Sequence, residues 1–257
     1  MVNMNREVWN FDEKRFRKIG NIKLVAARKI EILEELSFRL ATQMKTRIFF
    51  LDVPCFNAAQ KNSGYLRNLN AAEFVLNDGI GFGARSFGKS TKENLNGTDF
   101  TPEVLGILNE EKMSLYLLGG LPGVADSAAE NIMNEFPDII LSGTCHGSFE
   151  NPMDVRRAIN QVKPDLLLVG MGVPIQENWI SEHFEELDAT LIMAVGDYFD
   201  IASGRVTQIP AWFEKMRMEW AYRLFLKPQR LFKRHIIGNA VFLIHLFKLA
   251  RPKNPDT

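Results

Sequence analysis

Short apolar runs that end in glycine or aspartate recur along this 257-residue chain, each followed by a segment with helical spacing. The runs are NIKLVA, RIFFLD, EFVLND, SLYLLGG, IILSGT, DLLLVGMG and TLIMAVGD. They lack the alternation of a strand with one wet face and read as strands covered on both sides, as in a parallel sheet. Between them, the segment Lys29 to Gln43 carries Ile30, Leu33, Leu36 and Leu40 on one helical face, and Ala58 to Leu69, Val124 to Phe136, Met153 to Val162 and Ile175 to Phe184 also read as helices. Strands alternating with helices predict an α/β fold, a doubly wound, mostly parallel sheet of Rossmann-like type.

Residues 1–18 are polar and charged and are expected to form a mobile arm; 19–210 form the sheet domain and 211–257 an appendage. The chain has 31 basic and 31 acidic residues, which argues against a general nucleic-acid binder. From Ala211 to Thr257 there are 10 Lys/Arg against 3 Asp/Glu, leaving 21 basic and 28 acidic residues before it. A basic tail on an acidic body points to an anionic partner. The first residues hold no apolar signal-peptide core, and no stretch approaches the ~20 apolar residues of a membrane span. Two cysteines give no disulfide framework, so a cytoplasmic protein is expected.

Four glycine turns fall at predicted strand ends, where a doubly wound sheet holds its ligands: Asp78-Gly79-Ile80-Gly81, Gly119-Gly120-Leu121-Pro122-Gly123, Gly143 to Gly147 and Gly170-Met171-Gly172-Val173-Pro174. Backbone N–H groups around Gly119-Gly120 and Gly170-Gly172, with the starts of the helices that follow, are suited to phosphate. A glycine after a strand can equally serve only to make a tight turn. Asp78, beside the first turn, is placed to take a proton from an attacking hydroxyl, or merely to cap the turn. Gly79 to Ala84 fits G-x-G-x-x-A. Asp78 would repel a pyrophosphate there, however, and Asp99 lies in a turn opening a helix rather than on a second strand, so an NAD(P)-dependent oxidoreductase is the alternative and not the preferred reading. His146 stands between glycines at a strand end and is a candidate ligand contact. His146, His183, His235 and His245 are isolated and show no metal-ligand spacing.

In the tail, Arg223, Lys227, Arg230 and Arg234 follow the pattern of one helical face, with Trp220, Leu224, Phe225, Leu231 and Phe232 on another. Pro228 interrupts that helix. Such a basic amphipathic appendage, which also includes Arg217, suits an anionic membrane surface or a diphosphate. The apolar stretch IIGNAVFLIHLFKLA reads as a further interfacial segment.

The stretches LNDGIGFGARSFG, NGTDF, YLLGGLPGVADSAAENI, GTCHGSF, DLLLVGMGVPIQENWI, AVGDYFDIASGRVTQIPAWF and EWAYRLFLKPQRLFKRHI, in this order, resemble the WecG/TagA/CpsF glycosyltransferases, glycosyltransferase family twenty-six, from about Ile19 to Ile236. The resemblance implies inverting, metal-independent transfer of a hexose or N-acetylhexosamine-type sugar from a UDP-sugar to a polyprenyl-diphosphate-linked saccharide in cell-surface polysaccharide synthesis. It implies no cofactor, and a peripheral location on the inner face of the plasma membrane; a homo-oligomer is left open. Asp78 is then the expected base, and Gln176 of the G-x-P-x-Q-E segment the second catalytic candidate. Arg85, Thr98, Asp99, Glu177, Arg205, Gly123 and the strand-end glycines are expected to line the substrate site. Three positions depart from the family pattern. The strand usually ending Thr-x-Asn ends Phe50-Leu51-Asp52, which puts Asp52 at the presumed sugar pocket. Asn94 stands for an arginine, and Asp197 for a small residue. A non-catalytic sugar-nucleotide or lipid-binding protein is the remaining alternative.

Overall fold

The computed structural model describes residues 15–78 and 95–205 together with Gly238, Val241, Phe242 and His245. Six parallel strands form one sheet: β3 (Thr46–Leu51), β4 (Phe74–Asn77), β5 (Ser114–Gly119), β6 (Ile140–Cys145), β7 (Leu166–Gly170) and β8 (Leu191–Ala194), in the order β4-β3-β8-β7-β5-β6. The predicted strand NIKLVA stands apart from it. Ile22–Val25 (β2) pairs antiparallel with Phe16–Ile19 (β1), so the arm expected over residues 1–18 gives its described end to a hairpin.

The helices are α1 (Lys29–Ala41), α2 (Val53–Lys61), α3 (Ser63–Ala71), α4 (Gly97–Glu111), α5 (Val124–Glu135), α6 (Pro152–Val162), α7 (Ile175–His183) and α8 (Tyr198–Ala202). Side chains alternate across the sheet, so Phe50, Leu117, Leu168 and Met193 bury against α1, α4, α5 and α8. Phe49, Leu118, Val169 and Ile192 bury against the hairpin, α2, α3, α6 and α7. Covering on both faces is why β3, β4, β5, β7 and β8 carry their apolar runs, whereas in the edge strand β6 Ile140 and Leu141 are exposed. The helix expected over Ala58 to Leu69 is two helices. Asn62 is extended (φ −130°, ψ 106°), its N–H closes α2 on Ala58 O, and its side chain accepts the Tyr65 N–H at 3.1 Å to cap α3.

The chain leaves β3 toward the second face, β8 toward the first, β7 toward the second and β5 toward the first. Chains from neighbouring strands therefore turn to opposite faces at the carboxyl edge, the place where such a sheet holds its ligands. On this edge two backbones come together. Gly119 has φ +145°, and a Cβ on it would lie 2.2 Å from Gly170 O. The Gly120 N–H donates to Gly170 O at 2.9 Å, and the Gly147 N–H to Gly120 O at 2.8 Å. Only glycine fits at position 119.

Gly119→Ala should therefore lower the unfolding free energy by about 3 kcal/mol or more. Gly106→Ala, inside α4 with open space around it, should be neutral or stabilising by up to about 1 kcal/mol. Urea denaturation of the two variants beside wild type checks the pair.

Candidate active site

Because all six strands are parallel, their carboxyl ends share one edge, and the strand order fixes what stands beside what. Along it come Asp78 after β4, Asp52 after β3, Gly196-Asp197 after β8, Met171-Gly172 after β7, Gly120 after β5 and His146 after β6. At about 4.8 Å per strand, Asp78 is about 14 Å from the end of β7 and about 19 Å from that of β5. The site thus has an acidic end and a glycine end.

At the acidic end Asp78 is half-buried, and its N–H donates to Leu51 O at 3.1 Å, which joins the ends of β4 and β3. Asn77 beside it is 8% exposed, and its Oδ1 is buried without a hydrogen-bond partner among the described residues. Asp52 caps α2, accepting the Cys55 N–H at 2.7 Å. Thr98 and Asp99 stand in the first turn of α4. Asp99 and Asn96 cap one another, with the Asp99 N–H on Asn96 Oδ1 at 2.8 Å and Asn96 Nδ2 on Asp99 Oδ2 at 2.9 Å. Asp99 is thus in a helix start and not at the end of a second strand.

At the glycine end two expected phosphate donors are already engaged. The Gly120 N–H is bound to Gly170 O, and the Gly172 N–H donates to Gln176 Oε1 at 3.1 Å. The N–H groups of Ile175 and Gln176, which open α7, both point to Gly172 O at 2.9 and 3.1 Å. These amides hold loops together instead of waiting for an anion. Neither helix start has a side-chain cap, but at α5, after Gly123 (φ +82°), one amide turns back into its loop, the Val124 N–H donating to Leu121 O at 3.0 Å, against two at α7, so α5 is the better anion seat of the two. His146 is exposed, and its Nδ1 accepts the Ser148 N–H at 3.2 Å. Cys145, His146, Phe149 and Asp154 line an open hollow of about 440 Å³ there.

Gln176 joins the two ends. Only 3% exposed, it accepts the Gly172 N–H and, at 3.1 Å, the Gly196 N–H on one oxygen, while Nε2 donates to Glu177 Oε1 at 2.7 Å. Glu177 is fully buried and its Oε2 has no hydrogen-bond partner among the described residues. Burial pushes its carboxyl up to about 7, with the like charge of Asp52 adding to the rise; the Gln176 amide, its own backbone N–H and the Tyr65 hydroxyl pull it back. The same cluster raises the Cys55 thiol and the Tyr65 phenol, chiefly by desolvation. Cys55 is therefore a thiol, not a nucleophile.

Asp52, Asp78, Gln176, Glu177 and the Gly119, Gly120, Gly170 and Gly172 backbone gather at this edge; Arg205 is exposed just past α8. Arg85, Arg217, Arg223, Lys227, Arg230 and Arg234 lie outside the described residues. Part of the stretch expected to lie at an interface packs on the body: Phe242 is 4% exposed and meets the Phe56 ring edge-on at 5.1 Å, and Asn57 Nδ2 donates to Gly238 O at 2.9 Å. Sequence reasoning missed Tyr65 and Cys55; Glu177, expected to line the substrate site, is instead fully buried beneath it. The available signal was Gln176 and Glu177 four and three residues before buried Ile180, on the inward side of α7.

Glu177 also sets a pH dependence. Its folded pKa lies above the ordinary 4.5, so the unfolded chain loses that proton first and stability falls as pH climbs from about 4.5 to about 7, then levels. The span corresponds to ~3 kcal/mol. Glu177→Gln lacks this slope, so its stability relative to wild type should rise by up to that amount across the window. Denaturation midpoints at pH 4.5, 5.5, 7 and 8 measure it; a constant difference would place the Glu177 carboxyl at its ordinary value.

Comparison with known proteins matches the description "Glycosyl transferase WecG/TagA/CpsF family" to residues 17–255. An N-acetylglucosaminyldiphosphoundecaprenol N-acetyl-beta-D-mannosaminyltransferase of Bacillus subtilis (strain 168) is 31% identical over 175 residues, 67% of this chain and 68% of that protein. The enzyme of the same name from Staphylococcus aureus (strain NCTC 8325 / PS 47) is 26% identical over 230 residues, 87% of this chain and 88% of its own. A parallel sheet whose strand-end loops gather a carboxylate and a row of glycines, matched over nearly its whole length, makes this chain a member of the WecG/TagA/CpsF family of glycosyltransferases.

Proposed function

We propose that the chain transfers an N-acetylhexosamine-type sugar from a UDP-sugar to a saccharide carried on a polyprenyl diphosphate, with inversion at the anomeric carbon. The observation that carries this reading is the place of Asp78: the carboxyl end of β4, on the edge that also holds the glycine loops. The names of the curated relatives support the substrate class, because theirs is an N-acetylmannosamine transferred to N-acetylglucosaminyl-diphosphoundecaprenol with a β linkage. An α-linked nucleotide sugar that yields a β product has undergone one inversion.

In that reaction the acceptor hydroxyl gives its proton to Asp78 while its oxygen bonds the anomeric carbon. The bond to UDP breaks on the opposite side and its electron pair leaves with the diphosphate. The separation along the edge suits a donor that lies across it, its sugar toward Asp78 and Asp52, its diphosphate toward the start of α5. Asp52 is engaged as the α2 cap, so it shapes the pocket as an acceptor of N–H rather than as a second base.

Charge on the leaving diphosphate needs cations. The strand-end loops at 52, 78, 120–123, 146–151, 171–174 and 195–197 contain no Lys or Arg. Residues 79–94 carry Arg85, Lys89 and Lys92, and the tail carries ten more. We assign the diphosphate to these side chains, without a metal ion, and assign the basic face of the tail also to the anionic membrane that carries the acceptor. No helix among the described residues is long and apolar enough to cross a membrane, and a peripheral protein on the cytoplasmic leaflet fits that lipid.

Asp78→Asn should lower turnover by about 10²- to 10⁴-fold with UDP still raising the thermal midpoint as in wild type. The assay uses UDP-N-acetylhexosamines and a short-chain lipid-diphosphate N-acetylglucosamine, with EDTA leaving the wild-type rate unchanged. Full activity of the variant would remove Asp78 as the base, and protection by NAD(P) instead of UDP would favour an oxidoreductase. Replacing Arg223, Lys227, Arg230 and Arg234 by Gln should weaken sedimentation with phosphatidylserine vesicles by at least a hundredfold, at ~1 kcal/mol per basic residue.

A further inference from the structure

Glu177 is a carboxyl with no exposed surface beside a side chain of the active-site edge, and the transfer step above makes no use of it. A glutamine amide has two ends, and the surroundings of Gln176 permit one orientation. Its oxygen lies at 3.1 Å from both the Gly172 and the Gly196 N–H; turned over, the NH₂ would face two donors and lose both bonds. The group that selects this orientation from the other end is Glu177 Oε1, which accepts from Nε2 at 2.7 Å. We propose that Glu177 is a positioning residue of the transfer reaction, which orients the Gln176 amide so that its carbonyl clamps the loops after β7 and β8 together. This inference rests on the transfer reading of the site.

The clamp sits where it matters. β8 lies between β3 and β7, so a donor spanning from Asp78 and Asp52 to the glycine end crosses the Gly196 loop. Gly172 and Gly196 have φ of +80° and +57°, and neither loop carries a side chain at that position to fix its height over the sheet. One shared oxygen does so. With that oxygen accepting twice and one amide hydrogen bound to Glu177, Gln176 retains a single N–H, and at 3% exposure little of it can reach a substrate. Glu177 in turn shares its electrostatic surroundings with Asp52 and Cys55 of the β3–α2 junction and Tyr65 of α3, which couples the clamp to the acidic end. A misplaced loop of about 1 Å costs rate rather than affinity when the reacting groups must be aligned.

The test uses the full-length protein with Glu177→Met, Glu177→Gln, Gln176→Met and the double variant Gln176→Met/Glu177→Met. It reads kcat and donor KM in the transfer assay and, independently of activity, amide exchange at Gly172 and Gly196. Glu177→Met and Gln176→Met should each lower kcat at least tenfold, change donor KM less than threefold and speed exchange at both glycines at least tenfold. The double variant should be no worse than Gln176→Met alone, and Glu177→Gln, which still offers an oxygen to Nε2, should rescue both readouts to within threefold of wild type. Wild-type kcat and exchange in Glu177→Met, losses that multiply in the double variant, or a Glu177→Gln as damaged as Glu177→Met would each overturn the proposal. If Glu177→Met does not fold, protected Gly172 and Gly196 amides in Gln176→Met overturn it alone. A wild-type protein that transfers no sugar defeats the proposed function, while the exchange measurements still judge the clamp.

Discussion

Gly119 against Gly170 is the contact on which the site is built. Two neighbouring strands of a parallel sheet normally separate as their chains turn toward helices on opposite faces. Here the backbones stay close enough for the Gly120 N–H to reach Gly170 O and the Gly147 N–H to reach Gly120 O, so three strand ends are bound to one another before any side chain contributes. Missing Cβ atoms make this approach sterically possible, and the hydrogen bonds satisfy backbone groups that would otherwise be lost at the sheet edge. The edge is rigid where a binding surface is wanted, and the cost is that these amides are no longer free for an anion.

That cost bears on how the two ends divide the chemistry. A glycine loop after a strand suggests a phosphate cradle, but a cradle requires amides pointing outward. At Gly120, Gly172, Ile175 and Gln176 they point to Gly170 O, to Gln176 Oε1 and to Gly172 O. Loops of this composition can therefore be structural throughout, even though the starts of α5, α7 and α8 all lack a side-chain cap. The acidic end has the opposite character. Asp78 and Asp52 face the edge from adjacent strands, and the Asp52 charge is one reason the buried Glu177 resists ionisation.

Much of the fold was readable in the sequence because its signals are local or periodic. Runs such as RIFFLD and DLLLVGMG are apolar at consecutive positions, Ile48 to Leu51 and Leu166 to Val169, the pattern of a sheet covered on both faces, and all of the runs became strands of the parallel sheet except NIKLVA. That run failed because its partner is a neighbour in sequence whose charges suggested an arm: Ile22–Val25 pairs with Phe16–Ile19 just before it in a hairpin. The break at Asn62 was hidden because Ala58 to Leu69 keeps an acceptable helical period through it, and the evidence lay in the capping chemistry of Asn62 with Tyr65. In the site, the glycines and Asp78 could be read because turn chemistry marks strand ends. The burial of Glu177 could not, since it depends on Tyr65 and Cys55, more than a hundred residues earlier, meeting α7 across a sheet face.

Asp78 belongs to an edge strand, about 14 Å along the sheet from β7, and the described loops between these points offer carboxylates and glycines but no cation. A diphosphate would enter a field of like charge there unless counter-charge is supplied from outside the sheet. The chain holds its counter-charge in two places, the segment carrying Arg85, Lys89 and Lys92 directly after Asp78, and the basic tail. The first is tethered to the acidic end by the chain itself. The second follows β8 and α8 and returns to the body through Gly238 and Phe242, which pack on α2, the helix that Asp52 caps. On the proposed transfer, the counter-charge comes from segments that join the described fold near the acidic end, the first directly after Asp78 in sequence and the second through the contacts of Gly238 and Phe242 with α2, and from there it has to serve a diphosphate that lies toward the start of α5.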